Sequence, residues 1–308
     1  MKRFIRDLLL FVVIVSAITA IVNFAYIKQH KADTDKFATI PDEIQICNFG
    51  SSLGLYGFNY EDVKDNCVCF NFALSAQYLS YDYRLFQYYG DHIVKGTVVF
   101  IPVTYFTILG EKDTDTDIFF SLNQRYYSIL PPSLIKEYDI YSDIFSRYLP
   151  ALAADTGDLV ITLLGKSKDD FDEEVWQEVA ADVSENEEVS AAEFEKYRME
   201  NQEEIDALYA LIIGCQEKGA VPILISTPFL SVATENRGVI YNHFYSLINQ
   251  VVKDTGVDYY DYTFDERFAD GYSWFCDSIH LNKEGARNFT NILMQEIVYA
   301  KGYLNKLS

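Results

Sequence analysis

Positive charge is what this chain lacks most. Against 46 acidic side chains it carries 25 lysines and arginines, for a formal net charge of −21 at pH 7. No nucleic-acid partner is therefore expected, because neutralising phosphates needs clustered Lys and Arg. The charge itself says nothing about fold. Metal and redox motifs are missing too. The five cysteines (Cys47, Cys67, Cys69, Cys215, Cys276) cannot all pair, and none shows Cys-x-x-Cys spacing. Cys67 and Cys69 alternate in a strand-like run, where they are not expected to bridge readily to each other. Small apolar core residues is the expected role for most of the five, and Cys276, beside Asp277, is the one to consider for reactivity. The acidic run from Lys168 to Glu204 lacks the Asp-x-Asp-x-Asp-Gly spacing of a calcium loop. It reads as a solvated helical face. No cofactor and no metal is expected. Histidine is scarce as well, with four residues. His30, His92 and His243 stand in no motif; only His280 does.

Apolar residues are plentiful, at 49% of 308, which is ample for one large core or two small ones. The longest apolar run comes first. Leu8 to Tyr26 contains no charged residue and as a helix would span roughly 28 Å, about one hydrocarbon core. Ala17 and Thr19 would also suit signal cleavage, but the run is longer than the ~7–15 residues of a signal-peptide core and continues past that point. An uncleaved anchor over residues 1–28 is the expectation. Lys2, Arg3 and Arg6 place its start in the cytoplasm and the rest of the chain outside; Lys28 and Lys31, on the far side, pull against that orientation. Residues 29–41 form a polar linker, and 42–308 an acidic soluble domain.

That domain opens on Ile46-Cys47-Asn48-Phe49-Gly50-Ser51-Ser52-Leu53-Gly54. An apolar run of strand character ends abruptly in small residues, which lets the backbone turn sharply and present a hydroxyl with little cover. More than two hundred residues later comes Asp277-Ser278-Ile279-His280, the spacing a base and its orienting carboxylate need. Together the two segments resemble the SGNH/GDSL hydrolase superfamily, with Gly50-Ser51-Ser52-Leu53 matching its Gly-Asp-Ser-Leu block. The resemblance implies Ser52 as nucleophile, His280 as base and Asp277 as its partner. It also implies an oxyanion hole from the backbone N–H of Ser52 and of Ala76. Ala76 stands where the family's second block, around Asn-x-Gly-x-Ser-Gly, carries its last glycine; as alanine it remains a donor if its φ is negative. The family's third block, Gly-x-Asn-Asp, is absent. Pro102-Val103-Thr104-Tyr105-Phe106 stands there instead, so either Thr104 or Tyr105 supplies the missing donor or the hole is weakened, which predicts a slow hydrolase or one with a special substrate. This departure resembles the anchored branch associated with envelope-polymer acylation, including accessory proteins of D-alanyl transfer to lipoteichoic acid.

Alternating elements support the fold independently. A helical period over Glu203–Glu217 closes at Lys218-Gly219, then Ala220–Pro228 reads as a buried strand, a helix lies near Asn242–Lys253, and Gly256–Tyr262 is the last strand. Helix followed by buried strand is the pattern of a parallel sheet with right-handed crossovers. The expected architecture is a three-layer α/β/α sandwich with a mainly parallel sheet, an insertion at about 110–201 and one N-terminal transmembrane helix. Three functions follow as expectations. The first is an extracytoplasmic serine esterase or O-acyltransferase acting on a cell-envelope glycopolymer. The second is a thioesterase-like accessory protein for D-alanyl transfer, working beside a multi-span membrane acyltransferase. The third is a non-catalytic polymer-binding or scaffold protein.

Overall fold

The computed structural model describes residues 1–29, 34–63, 67–110, 123, 125–153, 197–234, 237–269 and 271–304. In chain order its main elements are α1 (Lys2–Gln29), β1 (Ile44–Asn48), α2 (Ser52–Gly57), β2 (Cys69–Asn71), α3 (Leu79–Tyr89), β3 (Ile93–Pro102), α4 (Ile140–Tyr148), α5 (Gln202–Glu217), β4 (Val221–Ser226), α6 (Gly238–Thr255), β5 (Asp258–Asp261) and α7 (Lys283–Leu293). The chain divides into two units, Met1–Ala38 with Asp115–Glu174, and Thr39–Thr114 with Val175–Ser308. Most of the acidic run after Lys168, and His30, lie outside the described residues.

The second unit is built on a five-stranded, wholly parallel sheet in the order β2-β1-β3-β4-β5. Its three central strands read as continuous apolar runs, as strands covered on both faces must. The alternation of side chains splits them between two layers. Ile46, Val98, Phe100, Ile223 and Ile225 meet Phe289 and Leu293 of α7 in one buried cluster. Cys47, Val99, Ile101 and Leu224 are also buried, at 0% exposure each, and on the strand period they point the other way. There α5 packs on β4 and on α3, and burial beside Cys215 of α5 pushes the Cys47 thiol well up. The three-layer sandwich is thus the observed fold.

Element boundaries differ little from those expected, and the differences have local causes. Helix α6 begins at Gly238 rather than near Asn242, because Ile240, Tyr241 and Phe244 all bury on the apolar face it shares with Ile248 and Val251. Cys67 and Cys69 are unbridged, as expected, but their sulfurs lie 3.1 Å apart. Residues two apart on a strand share a face, so the alternation brings these thiols together rather than separating them.

In the first unit α1 is long and apolar enough to cross a membrane. Helix α4 is N-capped by Asp139, whose carboxylate accepts from Ser142 N at 2.7 Å.

Candidate active site

The serine turn is set by two close approaches. Strand β1 ends at Asn48, and Gly50 follows at φ +114°, where a side chain would be strained; a Cβ there would also meet the Pro102 ring at 3.2 Å. The turn launches α2, with Ser52 as its first residue and Ser51 behind it, 9% exposed. Gly54 then lies so near β1 that a Cβ would fall 2.3 Å from the Phe49 carbonyl oxygen. These glycines let α2 start directly at the carboxyl end of a central strand, the end at which sites form in open parallel sheets.

Asparagines hold that start in place. Asn48, fully buried, donates from Nδ2 to the carbonyls of Phe49 (3.2 Å) and Gly54 (3.0 Å) and to Asn71 Oδ1 (3.0 Å). Asn71, on the neighbouring strand β2, donates to Gly54 O at 3.0 Å and accepts from Ala73 N at 2.9 Å. Tyr60 closes the set by donating to Asn48 Oδ1 at 3.0 Å. Neither Asn48 nor Tyr60 belongs to a recognised block. A buried amide at a strand end next to a serine turn is the one signal that marked Asn48.

The loop between β5 and α7 brings the second half of the site. Cys276 N donates to the His280 carbonyl at 2.8 Å and Phe275 bridges Leu281, closing a tight loop ahead of α7. Inside it, Asp277 Oδ1 accepts the backbone N–H groups of Ile279 (2.9 Å) and His280 (2.8 Å). Its Oδ2 lies 2.7 Å from His280 Nδ1. His280 Nε2 in turn lies 2.8 Å from Ser52 Oγ. Partial burial raises the Asp277 carboxyl, but the His280 imidazole and the two N–H donors outweigh it and hold the group below its ordinary 3.8. An ionised Asp277 accepts from Nδ1–H, which leaves Nε2 to accept from the Ser52 hydroxyl. The Tyr56 ring packs against the imidazole in a T-shaped pair at a centroid distance of 5.7 Å. The structure therefore brings Ser52, His280 and Asp277 together in hydrogen-bonding sequence, although 228 residues separate the first two.

No protein-family model and no curated protein matches this sequence. Among solved structures, the chain is similar to the psychrotrophic esterase EstA from Pseudoalteromonas sp., with 14% identity, a TM-score of 0.40, and coverage of 85% of this chain and 98% of that one. It is also similar to a catalytic mutant of Axe2, an acetylxylan esterase from Geobacillus stearothermophilus, with 9% identity, a TM-score of 0.43, and coverage of 87% of this chain and all of that one. Similarity at this level concerns the chain trace alone.

The remaining expected residues fall at the same end of the sheet. The N–H of Ser52 begins a helix and has no intrahelical partner. Ala76 stands at φ +50°, in the left-handed region, so the negative φ on which its role as a backbone donor depends is not met. An alanine there is strained; its loop is held by Leu74 N and Gln77 Nε2, which both donate to the Gly50 carbonyl, at 3.3 and 3.2 Å. Thr104 follows β3 by two residues and is 2% exposed, and its Oγ1 has no hydrogen-bond partner among the described residues. Thr107 caps the turn that follows: its Oγ1 accepts from Thr104 N at 3.0 Å and donates to Thr104 O at 2.6 Å. Tyr105 points its ring elsewhere, edge-on to Phe106, Tyr197 and Tyr241. Beside Ser52, Leu53, Phe229 and Ala233 form a small apolar cluster with Phe106 and Ile279 packed against it.

One buried acid braces the site without belonging to any block. Asp82 of α3 is fully buried, and its Oδ1 accepts from Gly50 N at 2.9 Å and from the Gln77 amide. It thus joins the serine turn to the loop of Ala76. Among the described residues its Oδ2 has no hydrogen-bond partner, and burial, opposed by those two donors and reinforced by Glu204, raises its carboxyl from 3.8 to about 7. The folded state then holds this proton while the unfolded chain loses it. Stability falls as pH rises from about 4 to about 7 and levels off above, by on the order of 4 kcal/mol at most. Asp82→Asn keeps the acceptor and is expected to remove that slope; urea unfolding followed from pH 4 to pH 8 measures it.

Proposed function

We propose that this protein is a membrane-anchored serine esterase or O-acyltransferase of the SGNH type, acting outside the cytoplasm on an acyl ester, in first place acetyl, of a cell-envelope glycopolymer. The observation that carries this reading is the continuous relay Ser52 Oγ–His280 Nε2, His280 Nδ1–Asp277 Oδ2, at 2.8 and 2.7 Å. Ser52 Oγ attacks the acyl carbonyl carbon while His280 Nε2 takes the hydroxyl proton. The tetrahedral intermediate collapses, the ester C–O bond breaks, and His280 returns that proton to the departing alcohol. Water, or a sugar hydroxyl, then gives its proton to His280 and attacks the acyl-enzyme, releasing acid or a new ester and restoring Ser52. The cluster around Leu53, Phe106 and Phe229 offers the acyl group an apolar wall. In this reading the segment 110–201 is an insertion on the hydrolase domain that helps set substrate choice.

The oxyanion would be met by the N–H of Ser52 and by the Thr104 hydroxyl in place of the family's amide, while Ala76, at φ +50°, does not meet the condition under which its N–H serves as a donor. A buried hydroxyl without a partner costs about 1–3 kcal/mol, so its retention at a strand end beside the serine turn supports a role in turnover. Thr104→Val is expected to raise the melting temperature while lowering kcat by about 10²-fold. A threonine kept for packing alone would leave kcat unchanged.

The direct test treats the full-length chain in detergent micelles with a fluorophosphonate serine probe and a chromogenic acetyl ester. Ser52-dependent labelling and turnover are expected. A folded chain silent in both assays overturns the autonomous enzyme and favours the scaffold, which the missing third-block amide also suggests, or the accessory factor that needs a multi-span acyltransferase beside it.

A further inference from the structure

Helix α4 is amphipathic in the inverse sense for a water-soluble protein. Its outward residues are apolar: Ile140 is 56% exposed, Tyr141 71%, Ile144 44%, Phe145 40% and Tyr148 69%, with Leu152 just beyond at 54%. Positions i, i+1, i+4, i+5 and i+8 make one helical stripe. The charged residues face inward instead. Asp143 and Arg147 pair with each other, with their side chains 13% and 29% exposed. Tyr138 donates to Asp143 Oδ2 at 2.7 Å, and Arg147 donates to the Leu130 carbonyl at 3.1 Å. Charges turned in and hydrocarbon turned out suits an apolar surrounding rather than water.

The same unit shows what that surrounding is. Along α1 most residues are exposed, but Asn23 is only 9% exposed. Its Nδ2 donates to the Tyr148 carbonyl at 3.0 Å, and its Oδ1 accepts from Ala151 N at 3.1 Å. A carboxamide within a membrane span is costly unless paired, and the last residue of α4 and Ala151 just beyond it supply both partners. Ala17 is the midpoint of the uncharged run, so Asn23 lies about 9 Å from the centre of the span. That is roughly 6 Å inside the edge of a hydrocarbon core of ~30 Å, the depth at which interfacial helices rest. Tyr141, Phe145 and Tyr148 are also the residue types suited to that level.

From these observations we propose that α4 is a second membrane contact, an interfacial helix lying at the boundary of headgroups and acyl chains and fastened to the anchor through Asn23. The inference rests on α1 crossing a bilayer. The occupant of the apolar stripe is lipid.

Depth-resolved quenching tests it on the full chain in protein-free vesicles of phosphatidylcholine and phosphatidylglycerol, brominated either near the headgroup or deep in the acyl chain. Tryptophans are introduced at exposed sites, Tyr141→Trp and Phe145→Trp on α4 and Ile14→Trp on α1, each read against the native tryptophan background. The α4 variants are expected to gain emission that shallow bromines quench more than deep ones, with the order reversed for Ile14→Trp. If Ile14→Trp is quenched and neither α4 variant is, the anchor stands and the interfacial helix is overturned, leaving a protein partner for the stripe. If no variant is quenched, the spanning reading fails and this inference fails with it.

Discussion

Replacing Ser52 with alanine is expected to lower turnover by on the order of 10⁶-fold and to abolish fluorophosphonate labelling, without unfolding the domain. The Ser52 hydroxyl is the only part of that residue in the relay, and its loss leaves Asn48, Asn71 and Gly54 bonded as before. His280→Ala is expected to reach the same floor, because nucleophile and base act as one unit, and the double variant should be no worse than either alone. Circular dichroism and melting temperature, measured alongside, separate loss of chemistry from loss of fold. Activity that survives in Ser52→Ala and disappears in Ser51→Ala would move the nucleophile to a residue buried beneath the turn, and the relay described above would be wrong.

Asp277→Asn should cost on the order of 10⁴-fold in kcat while leaving the loop in place. Asparagine Oδ1 can still accept from the N–H groups of Ile279 and His280, which Asp277 Oδ1 now bonds at 2.9 and 2.8 Å. At the other position an amide NH₂ replaces the oxygen that meets His280 Nδ1 at 2.7 Å. Two donors cannot share that contact, so the imidazole moves its proton to Nε2 and can no longer accept from Ser52. The expected signature is a fall in kcat with little change in KM. A loss under tenfold would mean that water orients His280 in place of Asp277, which is itself 54% exposed at the side chain.

The Thr104 and Asp82 variants probe the supports of that relay rather than the relay. In both, a buried polar atom lacks a hydrogen-bond partner among the described residues, and both lie where β3 and α3 approach the serine turn. A fold that keeps such atoms unpaired does so at a stability cost of about 1–3 kcal/mol each. Functional sites are where such local inconsistencies are expected.

Much of this was determined by the sequence alone. Apolar runs at β1, β3 and β4 interleaved with helical periods require a parallel sheet covered on both faces, since no other arrangement buries such strands. Gly50-Ser51-Ser52-Leu53 and Asp277-Ser278-Ile279-His280 mark the serine turn and the base because each depends on short-range geometry: a sharp turn after a strand, and a carboxylate three residues before an imidazole. Other features belong to the tertiary structure. Asn48, Asn71 and Tyr60 converge from three segments, and Asp82 reaches Gly50 across 32 residues of chain; no local pattern encodes such meetings, because packing of distant strands and helices creates them. The positive φ of Ala76 was hidden for the same reason: alanine favours the opposite sign, and only the bonds that tie its loop to Gly50 hold it there. The inverted face of α4 is the clearest case. Its sequence is an ordinary amphipathic helix, and only its packing shows that the charged side is the one turned inward.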